Sequence, residues 1–269
     1  FENSWIVSDT GMGTVWRLFD DDATPEIIIE GLNAPTQIKV FGSAAWILDN
    51  ANSQVLKWQA EADDAEIIAT LPSPPERLAV DEKGALAASL TAIYDLSTNP
   101  PSIVLDNLDG VSAIELKDGF LYVAVLGSDN IANARLLRAT RSGEGVSDIV
   151  GQNILQGVFH IPSFTWRADT NALQFPIMRA GWPYSGVLTQ ISSNNQLIIG
   201  THAPPGMKWL QPTSAGLVIG CTHTIIRAVE GESYSVLAPW ASPSAIATDG
   251  AKGIAWVDQK SGKLFYIDL

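Results

Sequence analysis

Three histidines are the residues of this chain whose side chains most readily take part in chemistry near neutral pH. They are His160 in "GVFHIPSF", His202 in "IGTHAPPG" and His223 in "CTHTII". Imidazole is the commonest protein ligand of zinc and also carries protons near neutrality. The three are therefore candidate zinc ligands or a candidate acid–base group. The alternative is that each is a loop residue bonded to backbone carbonyls.

A second group of residues has the chemistry of a ligand-binding surface. The segment "PIMRAGWPYSGV" places Arg179, Trp182 and Tyr184 close together, and Phe159 and Trp240 lie in other predicted connections. Aromatic rings beside a guanidinium suit stacking on a sugar or aromatic ring and binding of an anionic group. The alternative is that these rings fill space against neighbouring structure.

Three aspartates occupy matching positions in the sequence. Asp9, Asp49 and Asp258 each begin a polar turn and stand six residues before an apolar position. Carboxylates and turn carbonyls are the ligands that calcium prefers. The favoured interpretation is that each Asp accepts hydrogen bonds from the backbone of its own turn.

Composition excludes several classes of function. The net charge of −13 opposes binding to phosphate backbones, so we expect no nucleic-acid partner, and no apolar run is long enough to insert into a membrane. The sequence contains no GxSxG, HExxH or CxxC motif and no glycine-rich phosphate loop. The single cysteine, Cys221, is expected to be a small buried residue. The chain starts with Phe1, so we expect a removed leader, a secreted or periplasmic protein, and a monomer.

The elements that position these residues form an internal repeat of short hairpins. Each has two apolar strands separated by a polar turn, as a tight hairpin requires. Seven such hairpins are predicted, at residues 5–19, 46–58, 85–96, 120–139, 172–191, 217–228 and 254–269.

Another short strand precedes most hairpins, and a fourth strand follows them. Matching residues of the preceding strand recur at spacings of 36 to 50 residues, at Ile38, Leu78, Ile114, Phe164, Met207 and Ile246. Four antiparallel strands every ~40–45 residues are typical of β-propeller blades. We therefore predict an all-β, single-domain propeller over residues 1–269, with seven four-stranded blades and six as the alternative.

The repeat resembles propellers of the NHL type and the related SMP-30, paraoxonase and strictosidine-synthase group. The segments "WIVSDTGMGTVWRL" and "WILDNANSQVLKW" carry this resemblance best. A three-histidine site on a propeller is similar to that of the peptidylglycine amidating lyases, and a histidine pair to those of streptogramin lyases and paraoxonases. The resemblance implies a fold that hosts lyases, hydrolases, ligand binders and inert scaffolds.

In a propeller of this kind, the three histidines map to one face and to neighbouring blades, and the aromatic group maps there too. We therefore predict a ligand site on the face formed by blades 4–7, for a small molecule, glycan or peptide. One alternative is a metal-dependent lyase or hydrolase that uses the histidines, with zinc or calcium as the metal. Another is a rigid protein-interaction scaffold.

Overall fold

The computed structural model describes most of the chain, and the statements below concern those residues. They are residues 4–19, 24–60, 62–126, 134–149, 158–167, 172–179, 186–191, 197–203, 206–214, 216–229, 235–248 and 253–269. The chain divides into two compact units. The first unit comprises Phe1–Val123 with Arg138–Ser147, and the second comprises Ala124–Leu137 with Asp148–Leu269.

The described residues form strands throughout, and consecutive strands pair antiparallel into seven sheets. Sheet 1 contains β1 (Ser4–Asp9), β2 (Thr14–Phe19) and β3 (Glu26–Ile29), and sheet 2 contains β4 (Pro35–Phe41), β5 (Ala44–Asp49), β6 (Gln54–Gln59) and β7 (Glu66–Thr70). Sheet 3 contains β8 (Arg77–Asp81), β9 (Gly84–Ala88), β10 (Ile93–Asp95) and β11 (Ser102–Leu105). Sheet 4 contains β12 (Val111–Lys117), β13 (Phe120–Val125), β14 (Arg135–Thr140) and β15 (Ser147–Asp148). Sheet 5 contains β16 (Val158–His160), β17 (Thr165–Arg167), β18 (Ala172–Arg179), β19 (Gly186–Ile191) and β20 (Leu197–Ala203). Sheet 6 contains β21 (Met207–Thr213), β22 (Gly216–Cys221), β23 (Thr224–Ala228) and β24 (Ser235–Pro239). Sheet 7 contains β25 (Pro243–Thr248), β26 (Gly253–Asp258) and β27 (Lys263–Asp268).

The predicted hairpins all appear as paired strands, from β1–β2 at the start of the chain to β26–β27 at its end. Each hairpin consists of two short apolar strands joined by a polar turn, and this local pattern was sufficient to locate it. The all-β propeller prediction is confirmed as a fold class made of small antiparallel sheets.

The prediction of seven four-stranded blades is not confirmed. The blade number is assigned as six, which agrees with the alternative that the sequence also allowed. Seven hydrogen-bonded sheets are present among the described residues, but they do not have equal strand numbers. Sheets 1 and 7 have three strands each, and sheet 5 has five because β16 and β17 both pair with the long strand β18.

Within each unit, the core lies between adjacent sheets. In the first unit, Val15 and Ile29 of sheet 1 pack with Ile47 and Trp58 of sheet 2. In the second unit, residues of sheets 6 and 7 form a shared cluster that includes Ile225 and Trp256. Of the six matching residues, Leu78, Ile114, Phe164, Met207 and Ile246 are buried, whereas Ile38 is partly buried.

One close approach in the second unit requires a glycine. A Cβ atom on Gly220 of β22 would collide with Ile246 Cδ1 of β25 and crowd the Trp209 ring. The packing of sheet 6 on sheet 7 therefore depends on the missing side chain.

Candidate functional site

The candidate site is built at one end of sheets 5, 6 and 7, all in the second unit. We call this the entry end, defined as the end at which β16, β21 and β25 begin. In sheet 6, the residue pairing of β23 with β24 aligns Thr224 with Pro239. His223 immediately precedes Thr224, and Trp240 immediately follows Pro239, so the backbone brings these two predicted site residues together.

Trp240 is the most exposed large apolar residue among those that the structure describes. Its side chain is 85% exposed, and its backbone has a φ of 64°. A non-glycine residue in this left-handed region bears a steric cost of about 1–2 kcal/mol. An exposed indole held in a strained backbone conformation covers no neighbouring sheet, so the space-filling alternative fails for this residue.

The connection that carries Trp240 is held in place by the residues that follow it. Ala241 is buried in the core between sheets 6 and 7. The Ser242 N–H donates to Asp258 Oδ2 at 2.8 Å, and the Gln259 N–H donates to the Ser242 carbonyl at 2.7 Å. Trp240 is therefore displayed from an anchored backbone, which lowers the ordering cost of binding a ligand.

A similar hydrogen bond, from a backbone amide to the aspartate of the next hairpin, occurs in the first unit and can be compared with the one beside Trp240. There the Asn33 N–H donates to Asp49 Oδ1 at 2.9 Å, with the same separation of 16 residues as Ser242 and Asp258. Gly31 stands two residues before the anchoring amide, as Trp240 does, and also has a positive φ, of 79°. The two connections are not identical, because the strand register aligns Ser242 with Ala34, whose φ is 66°.

His223 lies in the tight turn between β22 and β23, as the sequence predicted, and its side chain is exposed. The flanking threonines hold the turn in place. Thr222 Oγ1 donates to the Gly206 carbonyl at 3.3 Å, and Thr224 Oγ1 donates to the Ala238 carbonyl at 3.2 Å. The imidazole is consequently exposed at the same end of sheet 6 as Trp240, on a turn held by hydrogen bonds, and is accessible to a ligand.

Asp258 is structural, as the favoured interpretation of the three aspartates predicted. Besides the bond from Ser242, its Oδ1 accepts hydrogen bonds from Lys260 N–H at 3.1 Å and Ser261 N–H at 2.9 Å. The backbone N–H groups of Ser242 and then Ser261 lower the pKa of this carboxyl below its usual value. Asp9 likewise accepts from Gly11 and Met12, and Asp49 accepts from the Asn52 side chain.

Four other predicted site residues, Phe159, His160, Arg179 and His202, lie in strands at the entry end of sheet 5. His160 lies in β16 and His202 in β20, rather than in the connections where the sequence placed them. The difference arises because β16 pairs with the last residues of the long strand β18 and because β20 extends to Ala203. Pairing aligns His160 with Met178, next to Arg179, and His202 with Val187.

The strand order of sheet 5 sets the distance between its two histidines. His160 and His202 stand three strands apart, which corresponds to ~14 Å between their Cα atoms. Phe159 lies at the irregularity in β16 opposite Met178 and Arg179. Trp182 and Tyr184 lie outside the described residues. Among the residues that the structure does describe, no three His, Cys, Asp or Glu side chains gather as metal ligands would.

Cys221 ends β22 two residues before His223 but does not face the candidate site. It is fully buried in the sheet 6 core, packed with Met207, Ile219 and Ile226. Burial raises the pKa of its thiol to about 12, so a thiolate nucleophile is not formed there near neutral pH. The expectation of a small buried residue is confirmed.

Sequence reasoning missed the pairing of His223 with Trp240 and the anchor between Ser242 and Asp258. The signal was present in the spacing. Asn33, the first residue of "NAPTQI", and Ser242, the second residue of "ASPSAI", each stand 16 positions before the aspartate of the next hairpin. Aligning these two residues would have shown the anchored connection.

Comparisons with known proteins support the fold. No protein-family model matches the chain, and no curated protein matches it either. Among solved structures, the chain is similar to hydrazine synthase from Kuenenia stuttgartiensis, with a TM-score of 0.76 and 14% identity over 99% of this chain and 92% of that one. It is also similar to the tricorn protease, with a TM-score of 0.74 and 10% identity over 100% of this chain and 32% of that one.

A third similar structure is a functionally unknown protein from Desulfotomaculum acetoxidans, with a TM-score of 0.71 and 9% identity over 100% of this chain and 93% of that one. Identities this low show a shared fold and do not carry over an activity. Nor do they single out the NHL or SMP-30 group that the repeat resembles. The described residues contain no helix that is long and apolar enough to cross a bilayer. The chain is therefore an all-β propeller, and its function rests on its own residues.

Proposed function

We propose that this protein is a ligand-binding propeller whose site lies at the entry end of sheets 5 to 7. The observation that carries the proposal is Trp240, an 85% exposed indole at a position where the backbone favours glycine. Strain that is retained without a packing benefit is a mark of functional positions. His223 stands beside it, and Arg179 and Phe159 belong to the same end of the neighbouring sheet.

The chemistry favours a ligand with a flat apolar face and polar groups at its edge, such as a sugar ring or the aromatic side chain of a peptide. An aromatic side chain buries about 150–250 Å² when it is covered, which corresponds to roughly 4–6 kcal/mol before the costs of association. The exposed imidazole of His223 supplies a hydrogen-bonding group at the rim. Trp182 and Tyr184 are proposed to add further rings through the connection between β18 and β19.

The test uses two substitutions at Trp240 and an array of immobilised glycans and aromatic peptides. Trp240→Ala should weaken binding of any captured ligand by about 30-fold, the effect of losing an aromatic anchor worth ~2 kcal/mol. Trp240→Gly should weaken binding equally while leaving the thermal midpoint unchanged or higher, because glycine relieves the positive φ. Phe41→Ala, at a half-exposed aromatic of the first unit, is the matched control.

Two outcomes would overturn the proposal. One is wild-type affinity in both Trp240 variants for a ligand that the array captures. The other is a clear loss of stability in Trp240→Gly, which would show that the indole supports the fold.

A metal-dependent lyase or hydrolase is the second candidate. It is supported by the placement of His160 and His202 at the entry end of sheet 5 and of His223 at the entry end of sheet 6. A shared zinc ion would need the imidazoles of His160 and His202 to turn towards each other across ~14 Å of Cα separation. Zinc analysis of protein dialysed without chelator tests it. One equivalent that is lost in the triple His→Ala variant supports the enzyme, and metal-free protein refutes it.

A further inference from the structure

A groove in the first unit lies outside the site proposed above. Its volume is about 540 Å³, and it runs between β3 of sheet 1 and the β5–β6–β7 region of sheet 2. Six consecutive residues, 27–32, line one wall. The other wall consists of residues of sheet 2, from the end of β5, the β5–β6 turn, β6, the β6–β7 loop and β7. They are Asp49, Asn52, Gln54, Leu56, Asp63, Asp64, Ala65 and Ile67. We call it the β3 groove.

The first half of this wall, residues 27–29, belongs to β3, and residues 30–32 continue it after the strand has ended. Successive side chains of a strand point to opposite faces, so a face would contribute alternate residues, whereas three consecutive strand residues indicate the edge. The strand order of sheet 1 is β1-β2-β3, which leaves one edge of β3 without a strand partner among the described residues. Edge strands with free backbone groups accept an added strand.

Each wall of the groove carries an exposed isoleucine among its polar residues. Ile27 is 46% exposed and Ile67 is 53% exposed, although β-branched apolar residues are usually buried. Ile29 and Leu56 are buried beneath them. An occupant that covers the two exposed isoleucines would remove apolar surface from water on both sides of its chain.

The charges of the groove have one sign. Glu30, Asp63 and Asp64 are exposed carboxylates along its walls, and no Lys or Arg is among its described lining residues. None of the three acids has a hydrogen bond or ion pair recorded to a described residue. A second copy of this chain would bring its own acidic edge strands and a charge of −13, so charge complementarity favours a basic partner over self-association.

We propose that the β3 groove binds an extended segment of a partner protein with apolar residues at its centre and basic residues at its ends. The segment adds to the sheet beside β3 through backbone hydrogen bonds. On the side of the segment that faces sheet 2, central apolar side chains contact Ile27 and Ile67, and a basic side chain at one end contacts Asp63 and Asp64. The four residues of β3, Glu26–Ile29, span roughly 13 Å, which matches about four residues of extended chain. This binding is independent of the Trp240 site.

The experiment measures fluorescence anisotropy of a labelled synthetic peptide, about seven residues long, with three central valines and two lysines on each side, at physiological salt. The same peptide with glutamates in place of the lysines is the probe of opposite charge. The lysine peptide should bind and the glutamate peptide should not. On binding, amide hydrogen exchange within β3, Glu26–Ile29, should slow, because the added strand pairs with its edge.

Matched variants separate the groove from general attraction to an acidic protein. Asp63→Asn with Asp64→Asn should weaken binding about tenfold. Glu82→Gln with Asp106→Asn removes the same charge from exposed positions elsewhere and should have little effect.

A second matched pair tests the apolar contact. Ile67→Ser should weaken binding roughly tenfold, since about half of a buried isoleucine's contribution is lost. Ile103→Ser changes the equivalent exposed residue of β11, outside the groove, and should leave the affinity unchanged.

Three results would overturn the proposal. Equal losses in both charge pairs would show unspecific electrostatic binding. Wild-type affinity in Ile67→Ser would exclude the apolar contact. Concentration-dependent dimerisation that Ile67→Ser abolishes, without peptide binding, would assign the groove to a second copy of this chain.

Discussion

Arg141 offers the sharpest test of how the first unit is held together. It lies in the turn after β14, and its side chain is buried between two carboxylates of sheet 3. Its Nε donates to Asp81 Oδ2 at 3.1 Å, and its Nη1 donates to Asp95 Oδ2 at 2.6 Å. Its main-chain N–H donates to the Gly119 carbonyl. The guanidinium thus joins sheet 4 to two separate turns of sheet 3.

Replacing Arg141 by methionine keeps most of the side-chain volume and removes the charge. Breaking a buried ion pair by deleting one partner costs about 3–5 kcal/mol, because the remaining charge is left buried and unpaired. The side chains of Asp81 and Asp95 keep 14% and 16% of their exposure, so the lower end applies. We expect a loss of about 3 kcal/mol, or roughly 6–12 °C in the thermal midpoint.

The decisive comparison adds Asp81→Asn and Asp95→Asn to Arg141→Met. Both asparagines can still accept the turn bonds that Lys83 and Ser97 donate, so only the charges are removed. Most of the lost stability should return in this triple variant. Arg135→Met is the matched control, because its bidentate pair with Asp148 is half-exposed and should cost under about 1 kcal/mol.

Chemical denaturation at several pH values completes the test. Burial raises the pKa of Asp95, but hydrogen bonds from Ser97 and Arg141 outweigh it and hold this pKa below its usual value. A depressed pKa contributes stability above the unfolded-state value of about 4, and this contribution is lost as pH falls through the folded-state value. Arg141→Met should therefore show a shallower acid limb. Equal costs for Arg141→Met and Arg135→Met, or a triple variant as unstable as the single one, would refute the reasoning.

Three further predictions follow from the aspartates and the cysteine. Asp49→Ala should lower the free energy of unfolding in denaturant titrations by about 2–3 kcal/mol, because the carboxylate of Asp49 is fully buried. Asp9→Ala should lower it by less than about 1 kcal/mol, because the hydrogen bonds of Asp9 are exposed to solvent. Equal losses in the two variants would contradict the role of burial. The Ser242 and Ser261 amides lower the pKa of Asp258, so this carboxylate stabilises the fold above pH ~4 and loses its contribution as pH falls through its folded-state pKa. In Asp258→Asn, the free energy of unfolding should therefore fall less steeply at acid pH than in the unchanged protein. Cys221 should not react with a disulfide reagent at pH 8 in the folded protein and should react fully once unfolded; native reactivity would place the thiol at the surface.

The strands were predictable because their information is local. Alternation of apolar residues and polar turns is contained within each hairpin, so β1–β2 and β26–β27 were located correctly from ten to twenty residues of sequence. The splitting of the first strand of sheet 5 was not predictable in this way. It depends on the eight-residue length of β18, which offers pairing positions to both β16 and β17.

Features that depend on distant contacts escaped the sequence. Arg141 meets Asp81 and Asp95 across separations of 60 and 46 residues, and neither the arginine nor its partners stand out in a motif. The β3 groove likewise arises from two sheets. Its isoleucines have the pattern of ordinary strand residues, and only the structure shows that exposed Ile27 and Ile67 line one groove with Asp63 and Asp64.

The anchored connections explain why a binding site could arise at Trp240 without loss of the fold. In both units, an amide two residues beyond the positive-φ position donates to a buried aspartate of the next hairpin, which fixes where the following sheet begins. In the first unit a glycine, Gly31, stands two residues before the anchoring amide, so that connection needs no side chain at this position. The side chain at this position is therefore free to change, provided that the local strain of about 1–2 kcal/mol is tolerated. Because the anchor holds the backbone in either case, a tryptophan placed there gains a rigid, exposed position, which is the property that recognition of a ligand requires.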